Sequence, residues 1–129
     1  LPEKPYTELE RRDLDYTVYD SESIYTGIRE KFSMYKNVNI VRGIVPDSFD
    51  VAVPEKIAFL HIDMNSAQAE MLALEHLFDK VTPGGVIVFD DFGWTCNVNQ
   101  MTAELAFMNE RGQHILELPT GQGVVIKHA

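Results

Sequence analysis

The 129-residue chain reads as an α/β protein of three layers, with a mostly parallel sheet closed by an antiparallel hairpin. Three observations predict it. Short apolar runs that suit strands alternate with segments of helical period. Two of those runs, "IAFLHID" (57–63) and "VIVFDD" (86–91), are almost continuously apolar up to their acidic ends, the mark of strands covered on both faces. The chain then closes on "HILELP", "TGQG" and "VVIKHA", two strands around a tight turn.

Taken in order, the first stretch is irregular, with Pro2 and Pro5 against regular structure. A helix is expected from Ser21 or Ser23, either of which can cap it. Its apolar face is Ile24, Ile28, Phe32 and Tyr35, and Asn37 ends it. "VNIVRG" (38–43) suits a short strand, and "IVPDSFDVAVPEK" a loop with a helical turn. After "IAFLHID" a second helix runs from Ser66 to near Lys80, with Ala67, Met71, Leu74 and Phe78 inward. "TPGG" is a hard turn before "VIVFDD". A third helix carries Val98, Met101, Leu105 and Met108 at helical spacing, with Gly112 as its C-terminal cap. Strands alternating with helices imply right-handed crossovers.

Bulk composition narrows the function. The net charge of -9 argues against nonspecific nucleic-acid binding and against docking on anionic lipid. No apolar run approaches the roughly 20 residues of a membrane helix, and the N-terminus has no apolar signal-peptide core. The single cysteine, Cys96, excludes an internal disulfide and fits a reducing compartment, so a soluble cytoplasmic protein of one domain, 1–129, is expected. The start at Leu1, in a Pro-rich stretch without Met, suggests a fragment of something longer.

The chemistry lies in three carboxylates. Asp63 ends one predicted parallel strand, and Asp90 and Asp91 end the next, one crossover later. Ligands of open α/β sheets bind beyond the carboxyl ends of the strands. Neighbouring strands lie about 4.8 Å apart, so adjacent strands would bring the three acids together. Their repulsion is relieved by raised pKa values or by a cation. Oxygen donors without cysteine or histidine suit Mg²⁺ or Ca²⁺ better than zinc. Singly, Asp63 could begin the following helix and Asp91 could make a turn. Their coincidence at matching strand ends is what favours an acidic site.

"FLHIDMNSAQAEMLALEHLFDKVTPGGVIVFDDFGW", followed by "LPTGQGVVIK", resembles the C-terminal part of the macrocin O-methyltransferase family. These are class I S-adenosylmethionine-dependent enzymes with a Rossmann-like sheet, and those that methylate sugar hydroxyls use Mg²⁺. The resemblance covers essentially the whole chain, more weakly before Asn37. It implies that Asp63, Asp90 and Asp91 hold Mg²⁺ or another hard divalent cation, and that the substrate is a small molecule with a hydroxyl group. It also implies that S-adenosylmethionine is contacted by Asp63 and, near its adenine, by Asp47 or Ser48 of "RGIVPDSF". The residues themselves read equally well there as a turn around Pro46, Asp47 and Ser48. Phe92 and Trp94 either line a substrate pocket or pack under a loop; Gly121 and Gly123 are most simply the hairpin turn.

The chain departs from the family at Asn65, where sugar-methylating relatives tend to carry an acidic base; an amide cannot usefully take that proton. His61, two residues before Asp63 and on the same side of the strand, is the other candidate for a catalytic role. The family's glycine-rich turn after the first strand and the acid after the second are not found, and "LPEKP" resembles the loop beyond that second strand. The expected sheet therefore lacks the first two strands of the class I methyltransferase fold. "VNIVRG" then either pairs with "IAFLHID" or leaves an edge that another copy fills, so a homo-oligomer is expected. The competing reading is a non-catalytic methyltransferase remnant that binds itself or a partner. A phosphorylatable receiver domain ranks below both, because its acidic pair follows the first strand.

Overall fold

The computed structural model describes residues 21–129. The irregular N-terminal stretch with Pro2 and Pro5, the "LPEKP" loop and the start of the first helix lie outside the described residues. The three helices are α1 (Ser21–Phe32), α2 (Ala67–Leu77) and α3 (Val98–Glu110). The four strands are β1 (Ile57–Ile62), β2 (Val81–Phe89), β3 (Leu116–Glu117) and β4 (Gly123–Ile126). They form one mixed sheet in the order β1-β2-β4-β3. β1 and β2 run parallel, and β4 is antiparallel to both β2 and β3. The predicted α/β class, with its parallel pair and its C-terminal antiparallel hairpin, is the one observed. No helix among the described residues is long and apolar enough to cross a membrane.

The core lies on one face of the sheet. Ile62, Ile87, Phe89 and Val125 from the strands meet Leu74, Leu77 and Phe78 around α2 and Phe107 and Met108 of α3. Ser66 caps α2, its hydroxyl accepting from the Ala69 amide at 3.4 Å. The last turn tightens into a 3-10 segment, Phe78–Lys80, whose carbonyl end is closed by Lys127. The Lys127 ammonium donates to Phe78 O at 2.9 Å and to Val81 O at 2.8 Å, and lies 4.4 Å from the Phe78 ring centre. Gly112 ends α3 as expected: at φ +65° its amide donates to Asn109 O, while the Gln113 amide reaches Met108 O. That bond pair satisfies two otherwise orphaned carbonyls.

Several expectations change. "VNIVRG" forms no strand and joins no sheet among the described residues; Arg42 ties it to α1 through Glu22. The expected stripe of Ile24, Ile28, Phe32 and Tyr35 is 38–52% exposed, with no apolar surface over it among the described residues. α1 ends at Phe32 rather than Asn37. "TPGG" is no separate turn but a bulge inside β2. The register passes from Ile57↔Val81 to Phe59↔Val86, with Gly84 at φ +82°. β1 is not covered on both faces: it is an edge strand, and Phe59 is 64% exposed.

The inward faces of the later helices are broader than the sequence reading: Leu74, Phe78 and Met108 are buried and Met71, Met101 and Leu105 pack on the core as expected, but polar residues join them. α2 buries Ala69, Glu70, Ala73, Leu74 and Leu77, leaving Ala67 and Met71 half-buried. α3 buries Gln100, Glu104, Phe107 and Met108, while Val98 is exposed. The cause is polar pairing between the two helices. The Gln100 amide donates to Glu70 Oε1 at 3.0 Å inside the interface. A pattern that counts only apolar residues turns these positions outward.

Candidate metal centre

The rim is set by the parallel pairing of β1 and β2. The register runs through His61↔Val88 and Ile62↔Phe89, and the Asp90 amide continues it by donating to Ile62 O at 3.0 Å. Asp63 therefore leaves β1 beside Asp90 as it leaves β2. Asp63, Asp90 and Asp91 each offer a carboxylate oxygen, and these oxygens all lie within 4.8 Å of one another. Asp63 is exposed; Asp90 and Asp91 are half-buried. The two adjacent aspartates at the mouth of β2 thus have a third acid for a neighbour.

Their surroundings push them in opposite directions. Asp90 is held below the ordinary carboxylate range, chiefly by the hydrogen bond from Gln122 and further by His61. Gln122 Nε2 donates to Asp90 Oδ1 at 2.9 Å, and His61 Nε2 stands 3.3 Å from the same oxygen. Asp91 is raised, first by burial and then by the charges of Asp90 and Asp63. Behind it, where α2 and α3 meet, Glu70 and Glu104 are each 2% exposed. Burial raises both, Glu104 to about 9, with Glu70 the next cause. The Oε2 atoms of both meet no other hydrogen-bond partner, which leaves the two carboxyls to each other. The pair therefore holds a shared proton at neutral pH, with Glu104 as the acid.

The other predicted residues sit as follows. His61 is half-exposed on β1 and belongs to the rim through Asp90. Asn65 is exposed and adopts φ +51°, the left-handed conformation that Asn tolerates better than most residues; it turns the chain from β1 toward the Ser66 cap. Asp47 and Ser48 lie on a 3-10 turn, Asp47–Asp50. That turn packs on α2 through Phe49 and His76, whose rings are 5.7 Å apart. His76 is near the end of α2 remote from Ser66. Phe92 is buried in the core, while Trp94 is exposed and lies against Gly121. Gln122, Glu70 and Glu104 were missed; only the quoted "TGQG" drew any attention to the first, and that as a turn.

The three-oxygen donor set fits a hard divalent cation. Metal–oxygen bonds run from about 2.0 Å for Mg²⁺ to about 2.6 Å for Ca²⁺, so opposed ligands stand roughly 4–5 Å apart. The three carboxylate donors lie within that span, and a set of oxygen donors suits a hard ion.

A profile of the family described as Macrocin-O-methyltransferase (TylF) matches residues 8–117. Among curated proteins, none matches. A solved chain titled "Structure of the O-methyltransferase NovP" superposes with a TM-score of 0.75 at 14% identity, over 98% of this chain and 55% of that one. At that identity the likeness shows the fold, and the chain spans about half the length of this solved relative.

Proposed function

Because the chain belongs to the macrocin O-methyltransferase family, we propose that it serves S-adenosylmethionine-dependent, divalent-cation-assisted methylation of a hydroxyl group on a sugar or other small molecule. The observation that supports this reading is the convergence of Asp63, Asp90 and Asp91 at the carboxyl ends of β1 and β2. Bound there, Mg²⁺ or a similar ion would lower the pKa of a coordinated substrate hydroxyl, and S-adenosylmethionine would supply the electrophilic methyl group.

The chain's own residues have separable tasks. Asp63, Asp90 and Asp91 would hold the ion, and fixing both reactants at one rim is itself a large part of such catalysis. Asp47, Ser48 and Asp63 are the proposed cofactor contacts. His61 is the better candidate for the base: with Nε2–H directed at Asp90, its Nδ1 is left to accept a proton. Asn65 has no basic nitrogen, and its left-handed backbone gives it a conformational task instead. Residues 1–129 are read as a single, truncated methyltransferase-like domain, acting in the cytoplasm.

Calorimetry with Mn²⁺ or Mg²⁺, then with S-adenosylmethionine, tests the proposal. Uptake of one divalent ion, lost in Asp91→Asn, is expected. No uptake in the wild type would overturn the metal reading.

One observation favours a second reading, a module that binds itself. Phe59, Leu116 and Ile126 stand in register with Val86, Val88 and Val124 on the sheet face opposite the core, and all three are more than half exposed. Light scattering separates the readings: a monomer that binds both ligands argues for the enzyme alone.

A further inference from the structure

We infer that Gln122 is a positioning residue: it pins Asp90 through one oxygen, Oδ1, and so reserves the other for a cation. This rests on the metal reading above and adds a residue that the acids themselves do not reveal.

Three features place it. First, the amide has one sensible orientation. Gln122 Nε2 donates to Asp90 Oδ1 at 2.9 Å, and Thr120 Oγ1 donates to Gln122 Oε1 at 3.0 Å. Turning the amide over would set its oxygen against a carboxylate. Second, the turn that carries Gln122 is rigid. Leu118 N donates to Gln122 O at 2.8 Å and Gly121 N to Leu118 O at 2.9 Å, with Gly121 at φ +89°.

Third, this turn is fastened to the segment that bears the aspartates. Gly93 N donates to Gly121 O at 2.7 Å, just past Asp91. Gly121 takes φ +89°, a backbone conformation that favours glycine, and Trp94 lies over it. The hairpin therefore grips "DDFGW" at both ends, by a side chain at Asp90 and by the main chain at Gly93. His61 approaches the same Oδ1, so both neighbours engage one oxygen of Asp90, and the inference assigns the other, Oδ2, to the cation. Repulsion from Asp63 and Asp91 would otherwise swing the Asp90 carboxylate outward, away from a shared ion.

The test is Mn²⁺ binding by calorimetry and by electron paramagnetic resonance on the full chain, comparing wild type with Gln122→Met and Thr120→Val. Gln122→Met keeps the length and volume of the side chain and removes the donor. Loss of such an outer partner typically weakens metal binding about 10- to 100-fold, and that loss is expected with the circular dichroism spectrum unchanged. Thr120→Val, at an exposed position, should give a smaller loss of the same sign and guards against misfolding of the first variant. Wild-type affinity in both folded variants overturns the role of Gln122 and leaves the metal site standing. A wild type that takes up no Mn²⁺ overturns the site and the role together.

Discussion

Glu104 and Glu70 face each other across the α2–α3 interface, each 2% exposed, each with an Oε2 that meets no other hydrogen-bond partner. Gln100 and the Met64 amide donate to Glu70, while burial and the neighbouring Glu70 keep the proton on Glu104. Two acids buried together beneath a third, Asp91, load this end of the fold with latent charge. That arrangement sets how the protein responds to pH.

Stability should fall as pH rises. Unfolded Glu104 ionises near 4.5, whereas burial and Glu70 hold the folded group protonated up to about 9. The contribution is complete below 4.5 and is lost progressively toward 9, because only the unfolded chain gains by releasing the proton. Glu104→Gln supplies a permanent donor to Glu70 and removes the penalty. Thermal denaturation should show the variant melting higher than wild type at pH 8 and close to it at pH 4.5. Parallel profiles for the two proteins would contradict the shared proton.

Asp91→Asn should separate folding from ion binding. Burial and the charges of Asp90 and Asp63 raise Asp91, so its ionisation opposes folding in the absence of a cation. The variant is expected to melt higher than wild type without added metal at pH 7. It should show no upward shift when Mn²⁺ is added, whereas wild type should gain with concentration. Equal metal-dependent shifts in both proteins would remove Asp91 from the site.

Asn65 tests the conformational account of the departure from an acidic residue. At φ +51°, glycine should be tolerated, while a β-branched residue should cost about 1–2 kcal/mol. Urea denaturation of Asn65→Gly and Asn65→Val gives the comparison. If valine were as stable as asparagine, the backbone would not explain the residue.

The exposed edge of the sheet predicts association. Phe59 is 64% exposed on β1, whose outer backbone groups have no strand beside them among the described residues. Phe59→Lys should shift light-scattering mass toward monomer with an unchanged circular dichroism spectrum. A wild type that is already monomeric at high concentration would discard the homo-oligomer proposal.

Elements that announce themselves by local chemistry were readable. Ser66 as a cap, Gly112 as a helix end and the "TGQG" hairpin are decided within a few residues by hydrogen-bonding and backbone preference. "VNIVRG" was not, because strand propensity becomes a strand only where a partner offers its N–H and C=O groups. The polar members of the helix faces were illegible for a related reason: Glu104 and Gln100 look solvent-facing alone, and inside the interface they meet Glu70.

The acidic rim was fixed by the sequence alone, since "IAFLHID" and "VIVFDD" each end on aspartate and parallel neighbours align their ends. The tertiary structure alone decided which groups attend those acids. His61 and Gln122 reach Asp90 from 29 and 32 residues away, and Glu70 meets Glu104 only after α2 and α3 pack. Strand ends follow from local pattern. The partner of a side chain follows from where distant segments come to rest, and that is settled by the burial of the whole core.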